Sequence, residues 1–114
     1  MRLADRDCVA CNADSEPVMD TAPLLSELEG WAVDESGEIP KLVRRYGFPD
    51  FAQALAFTTR VGFLAEEEDH HPEIVTEWGA VTVSWWTHSI GGLHMNDFVL
   101  AARTNDLFAT AGPR

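Results

Sequence analysis

Residues 80–88 alternate, with Val81, Val83 and Trp85 interleaved with Thr82, Ser84, Trp86 and His88. A period of two sends successive side chains to opposite faces, so this run is a strand whose apolar face needs a core. Gly79 stands just before it and residues 74–78 precede that turn, which makes the pair a hairpin. An earlier hairpin is expected from Trp31, Ala32 and Val33, a turn at residues 34–38, and a strand at residues 42–48 with Leu42, Arg44, Tyr46 and Phe48 on one face.

The segment between the hairpins has a different period. Asp50 with Gln53 three residues later is arranged like a capping box, and Phe51, Leu55, Thr58, Val61, Leu64 and Ala65 recur at helical spacing. The main helix is therefore expected over residues 50–68. Thr21 and Pro23 start a short first helix with Leu24, Leu25 and Leu28 as its stripe and Gly30 as its stop. After the Gly91-Gly92 break, Phe98, Val99, Ala102 and Leu107 mark a closing helix that begins near Asn96.

The order is α-β-β-α-β-β-α, and its simplest assembly is an α+β fold: a four-stranded antiparallel sheet with helices on one face. Such a sheet has open edges, so a homo-oligomer formed by edge pairing is expected. With 114 residues, the chain fits one domain that buries about two-thirds of its unfolded surface. That domain is placed at residues 21–110. Residues 1–20 read as a flexible leader carrying Cys8 and Cys11, and residues 111–114, with Gly112-Pro113, as a disordered tail.

Charge narrows the function. Eight Lys and Arg against 19 Asp and Glu give a net charge of −11, which repels nucleic acid and anionic membrane surfaces. No window approaches the roughly 18 apolar residues of a membrane span. Arg2, Asp5, Arg6 and Asp7 fall where a signal peptide needs apolar residues, so a cytoplasmic protein is expected. In that reducing compartment a structural disulfide between Cys8 and Cys11 is disfavoured. A zinc ribbon would need a second such pair or two well-placed histidines, and no second pair exists; the loop-like residues 12–17 do not supply the helix start that thiol redox chemistry uses.

Three histidines carry the chemical signal. His70 and His71 precede the first strand of the second hairpin and His88 ends the other, so antiparallel pairing brings the three towards one spot. The run from Glu66 to Asp69 lies at the C-terminal end of a helix, where the dipole disfavours carboxylates. Glu67 and Glu68 read as a solvated helix end. Glu66 and Asp69 flank the histidine pair and are read as orienting an imidazole, and Asp97 is either a site carboxylate or an ordinary first-turn helix acid. His70 and His71 point to opposite sides of an extended segment and no metal-ligand spacing is present, so no metal is expected. Imidazoles beside carboxylates point to proton transfer: an elimination, addition or isomerisation, with a binding module as the alternative.

Glu66, His70-His71-Pro72, Trp78, His88 and Asp97, at these spacings, resemble the signature of the pterin-4a-carbinolamine dehydratases. The likeness extends to Phe48-Pro49-Asp50-Phe51 and Thr59-Arg60-Val61 in the main helix, to Thr87-His88 with Gly92-Leu93, and to Gly30-Trp31, and it covers residues 24–107. The leader with Cys8 and Cys11 is similar to that of bacterial members. The resemblance implies the same αββαββα fold, a homodimer or homotetramer, and no cofactor, the pterin being substrate. It also implies dehydration of 4a-hydroxytetrahydrobiopterin to the quinonoid dihydropterin, which recycles the cofactor of an aromatic amino acid hydroxylase. Residue by residue, it implies His70 and His88 as acid and base, and His71 as a group that binds the pterin or stabilises developing charge. Glu66, Asp69 and Asp97 become supporting carboxylates and Trp31 a wall of the ring pocket. Two alternatives stand beside it: a non-catalytic pterin-binding or protein-dimerisation and regulatory module of the same fold, and an enzyme acting on another pterin.

Overall fold

The structure, a computed structural model, describes residues 2–9 and 16–110. A 3-10 turn at Leu3–Asp5 is followed by α1 (Ala22–Leu25), β1 (Ala32–Asp34), β2 (Lys41–Gly47), α2 (Phe51–Glu68), β3 (Glu73–Glu77), β4 (Ala80–Trp85), a 3-10 turn at His88–Ile90, and α3 (Met95–Ala109). The strands form one antiparallel sheet in the order β1-β2-β4-β3.

The alternating run is a central strand, registered on β2 from Leu42 opposite Trp85 to Gly47 opposite Ala80. Val81, Val83 and Trp85 are fully buried with Leu42 and Tyr46 on the same face. Phe57 of α2 and Phe108 of α3 both lie 4.8 Å from the Tyr46 ring, so the two helices cover one face of the sheet. Each large side chain fully buried there contributes about 1.5–3 kcal/mol. On the opposite face Arg45 and Glu77 form an exposed ion pair beside the half-exposed Val75.

At α2 one half of the capping box forms, the Asp50 carboxylate accepting the Gln53 N–H at 2.8 Å. Ala54, Phe57, Val61 and Ala65 form its buried stripe. Its outer side is also apolar, with Phe51, Leu55 and Phe63 exposed to 44%, 49% and 67%. The helix ends at Asp69, whose φ of 50° is left-handed, and the next N–H, of His70, returns to the Ala65 carbonyl. Asp tolerates this region better than most residues, and the reversal turns His70 inward.

β2 and β3 each lie one residue earlier than expected, and the boundaries of α1, β1 and β4 differ for reasons visible in the packing. α1 is a four-residue helix that continues as turns to Gly30, because its stripe buries only Leu28 fully. Trp31 lies just ahead of β1. β4 stops at Trp85 because Thr87 pairs instead with Gly92, closing a loop that carries His88 at its start.

The leader is in part docked rather than loose. Leu3 is 3% exposed and belongs to the core. Arg103 of α3 donates to the carbonyls of Ala4 and Arg6, and the Asn96 side chain bonds both the N–H and the carbonyl of Val9. A sequence this short and aperiodic gives no sign of such docking, since the gripping groups are long side chains on another element. Cys11 and the expected tail at residues 111–114 lie outside the described residues. Among the described residues no helix is long and apolar enough to cross a membrane.

Candidate active site

The site is organised by Asp97, in the first turn of α3 and fully buried. A carboxylate at that depth needs donors, and three converge on it. Its Oδ1 lies 2.7 Å from His70 Nε2, and its Oδ2 accepts the Thr87 hydroxyl at 2.7 Å and the His94 N–H at 2.9 Å. The last of these is half of a capping box, completed by His94 Nδ1, which accepts the Asn96 N–H at 3.0 Å. Placed at a helix N-terminus, the carboxylate also has the favourable end of the dipole.

This arrangement sets the state of His70. A carboxylate only accepts, so the nitrogen that faces it, Nε2, is the donor of the pair. The ring is stacked 5.9 Å from Trp85, whose own N–H is fixed on Thr104 Oγ1 at 3.2 Å. His70 is thus an imidazole oriented through one of its two nitrogens, on a side chain 11% exposed.

The other histidines are held differently. His71 Nε2 lies 2.6 Å from Glu66 Oε1, an exposed pair on the outer side of α2, and borders a groove of about 450 Å³ with Phe63 and Pro72. His88 is exposed and packs on Trp86 at 4.8 Å, whose ring also lies under the Lys41 ammonium at 4.2 Å. The structure therefore joins His70, Asp97 and Thr87 into one hydrogen-bonded unit, with His88 covalently next to Thr87. It places the His88 ring against Trp86 and links His71 to Glu66 separately.

Asp69 is exposed and lines a cavity of about 370 Å³ together with His70 and Glu67. Cys8 and Val9 of the leader line the same cavity. Burial, reinforced by the neighbouring Glu68, pushes the Cys8 thiol up to about 11, so it stays protonated near neutral pH. Trp31 is not brought to the histidines. Its indole N–H donates to Asn105 Oδ1 at 2.9 Å and its ring meets Tyr46, at the Arg44–Tyr46 end of β2, whereas His70 stacks on Trp85 at the Leu42 end.

Three contributors escaped the sequence reading. Thr87 entered it only as the neighbour of His88, and His94 and Asn96 had no role. The spacing of His94 and Asp97 is a capping-box spacing, but with histidine in the place that Ser or Thr usually fills. Among the described residues no group of three or more His, Cys, Asp or Glu side chains is placed to hold a metal ion.

Comparison with known proteins follows the same pattern. Residues 18–107 match the family model described as pterin 4 alpha carbinolamine dehydratase. A curated relative from Chlorobium limicola, named "Putative pterin-4-alpha-carbinolamine dehydratase", is 55% identical over 102 residues, covering 88% of this chain and 90% of its own. One from Gloeobacter violaceus with the same family name is 46% identical over 114 residues, covering 98% of each. The crystal structure of a transcriptional coactivator/pterin dehydratase from Brucella melitensis superposes with a TM-score of 0.74 at 29% identity, covering 85% of this chain and all of the other. A pterin dehydratase-like protein identified as a RuBisCO assembly factor in the alpha-carboxysome superposes with a TM-score of 0.59 at 28% identity, covering 75% and 94%.

Proposed function

Because the chain belongs to the pterin-4-alpha-carbinolamine dehydratase family, we propose that it dehydrates 4a-hydroxytetrahydrobiopterin to the quinonoid dihydropterin, a hydro-lyase reaction. The observation that carries this reading is the buried Asp97, which holds His70 through Nε2. In the reaction the N5–H proton is removed, C4a=N5 forms, and the C4a–O bond breaks with the hydroxyl leaving as water. His70 Nδ1 accepts the N5 proton, with Asp97 stabilising the imidazolium that results. His88, on the loop that starts beside Thr87, donates a proton to the departing hydroxyl. His71, paired with Glu66, binds the pterin, and Asp69 supports it from the 370 Å³ cavity. The chemistry needs no cofactor beyond the pterin substrate. The product would re-enter the cycle of an aromatic amino acid hydroxylase in the cytoplasm, with this chain as a homodimer or homotetramer.

A second reading, a protein-binding module of the same fold, is favoured by one observation: the exposed Phe51, Leu55 and Phe63 on the outer side of α2. The experiment that separates the two is the dehydration rate of freshly generated 4a-hydroxytetrahydropterin with and without the protein, followed by absorbance near neutral pH. Acceleration that disappears in the His70→Ala/His88→Ala double variant supports the dehydratase. No acceleration by folded protein moves the assignment to the binding module.

A further inference from the structure

Residues 2–9 are fastened to α3 along its length. Arg2 pairs with Asp106 at 2.8 Å, Leu3 is inserted into the core, and Arg103 holds the carbonyls of Ala4 and Arg6 at 3.1 and 2.6 Å. The remaining Arg103 nitrogen, Nη1, bonds Glu68 Oε1 at 2.9 Å, which ties the same guanidinium to the last turn of α2. At the far end, Asn96 receives the Val9 N–H at 3.0 Å and donates to the Val9 carbonyl at 2.6 Å. The amide side chain thus pairs with Val9 as a strand neighbour would. Asn96 is 4% exposed and adjoins Asp97, so both of its polar atoms are spent on the leader.

The strap brings Cys8 and Val9 to the cavity of about 370 Å³ that His70 also lines.

Resting on the pterin reading above, we propose that residues 3–9 are a wall of the pterin site beside His70, and that Asn96 and Arg103 are positioning residues that hold this wall. Arg103 is not among the residues lining the cavity, and Asn96, which does line it, has both side-chain polar atoms turned to Val9. They fix the distance between Cys8 and Val9 on one side and His70 on the other, and so set the width available to a flat bicyclic ligand. Loss of the grip lets the wall move away and weakens binding before it affects proton transfer.

Cys8 is the reporter. In the full chain carrying Cys11→Ser it is the sole thiol, since the sequence has two cysteines. Its labelling by a thiol-reactive disulfide is measured with and without 7,8-dihydrobiopterin, beside the melting temperature. At ten times the Kd of the dihydropterin, labelling should slow about tenfold by occupancy alone. In Asn96→Ala, Cys8 should label faster in the free protein, and the loss of activity should appear as a KM raised about tenfold, with kcat falling less. Should Asn96→Ala not fold, Arg103→Lys keeps a cation for Glu68 while losing the grip on two carbonyls, and the same changes are expected of it. A dihydropterin that raises Tm but leaves Cys8 labelling unchanged overturns the wall and leaves the dehydratase reading standing. So does a folded variant that lowers kcat at constant KM, the result of a purely structural brace. A dihydropterin that leaves Tm unmoved overturns the pterin reading itself, and the wall with it.

Discussion

His70 Nε2 and Asp97 Oδ1 lie 2.7 Å apart although 27 residues separate them in the chain. The carboxylate is fully buried and the imidazole nearly so, which makes the pair a fixed orientation rather than a surface attraction.

Asp97→Asn tests that orientation. The amide can accept only through its oxygen, which the His94 N–H requires, so its NH₂ faces His70 and forces the ring proton onto Nδ1. The nitrogen needed for proton transfer is then blocked. We expect kcat to fall about 10²–10⁴-fold, as when a triad carboxylate is replaced. A variant that retains wild-type kcat would remove Asp97 from the mechanism.

The histidines should separate kinetically. His70→Ala and His88→Ala should each lower kcat about 10²–10⁴-fold, while His71→Ala mainly raises KM. The exposed His71–Glu66 pair should add at most about 0.5 kcal/mol to stability, so Glu66→Gln leaves urea unfolding nearly unchanged. Steady-state kinetics beside denaturation curves check both statements.

Trp31→Phe distinguishes a pocket wall from a structural group. The change removes a hydrogen bond to Asn105 and should cost about 1 kcal/mol without moving KM. A raised KM in a variant of normal stability would return Trp31 to the pterin pocket that the resemblance implies.

Asp69→Gly separates backbone from carboxylate. A left-handed position suits glycine, so stability should hold or rise by up to about 1 kcal/mol. If the carboxylate supports the pterin, KM rises in the same protein. If Asp69 serves only as the turn before His70, kinetics stay as in the wild type.

Alkaline pH should weaken the fold through Cys8. Its thiol is pushed up to about 11 in the folded state, against about 8.5 in an unfolded chain. Between those values the unfolded state holds fewer protons, so stability falls as pH rises through that window. Cys8→Ala should lose less Tm than the wild type between pH 8 and 10. An identical loss in both would assign the slope to other groups.

What could be read from the sequence was whatever repeats along it. The N-cap at Asp50, the α2 stripe and the alternation in β4 are local patterns imposed by helix and strand periods, and each lies within a few residues of its expected place. The candidate site was legible in its residue types, as His70, His71, His88 and Asp97, but not in its wiring. That Asp97 bonds His70 and Thr87, while the His88 ring lies against Trp86, depends on side-chain directions set by packing between distant elements. The docking of residues 2–9 had no local signature, because Asn96 and Arg103 supply it from α3.

Asn105 lies eight residues beyond Asp97, about 12 Å along the same helix. Its single Oδ1 collects Trp31 Nε1, Arg44 Nη1 and Tyr46 Oη at 2.9, 2.7 and 2.6 Å. One helix thus carries two convergence points, one locking the sheet and the other aiming an imidazole, with no side chain in common. On the dehydratase reading proposed above, a substitution around Asn105 acts on how long the protein lasts, whereas one around Asp97 acts on the aim of His70 as well as on the fold, because it strands buried donors.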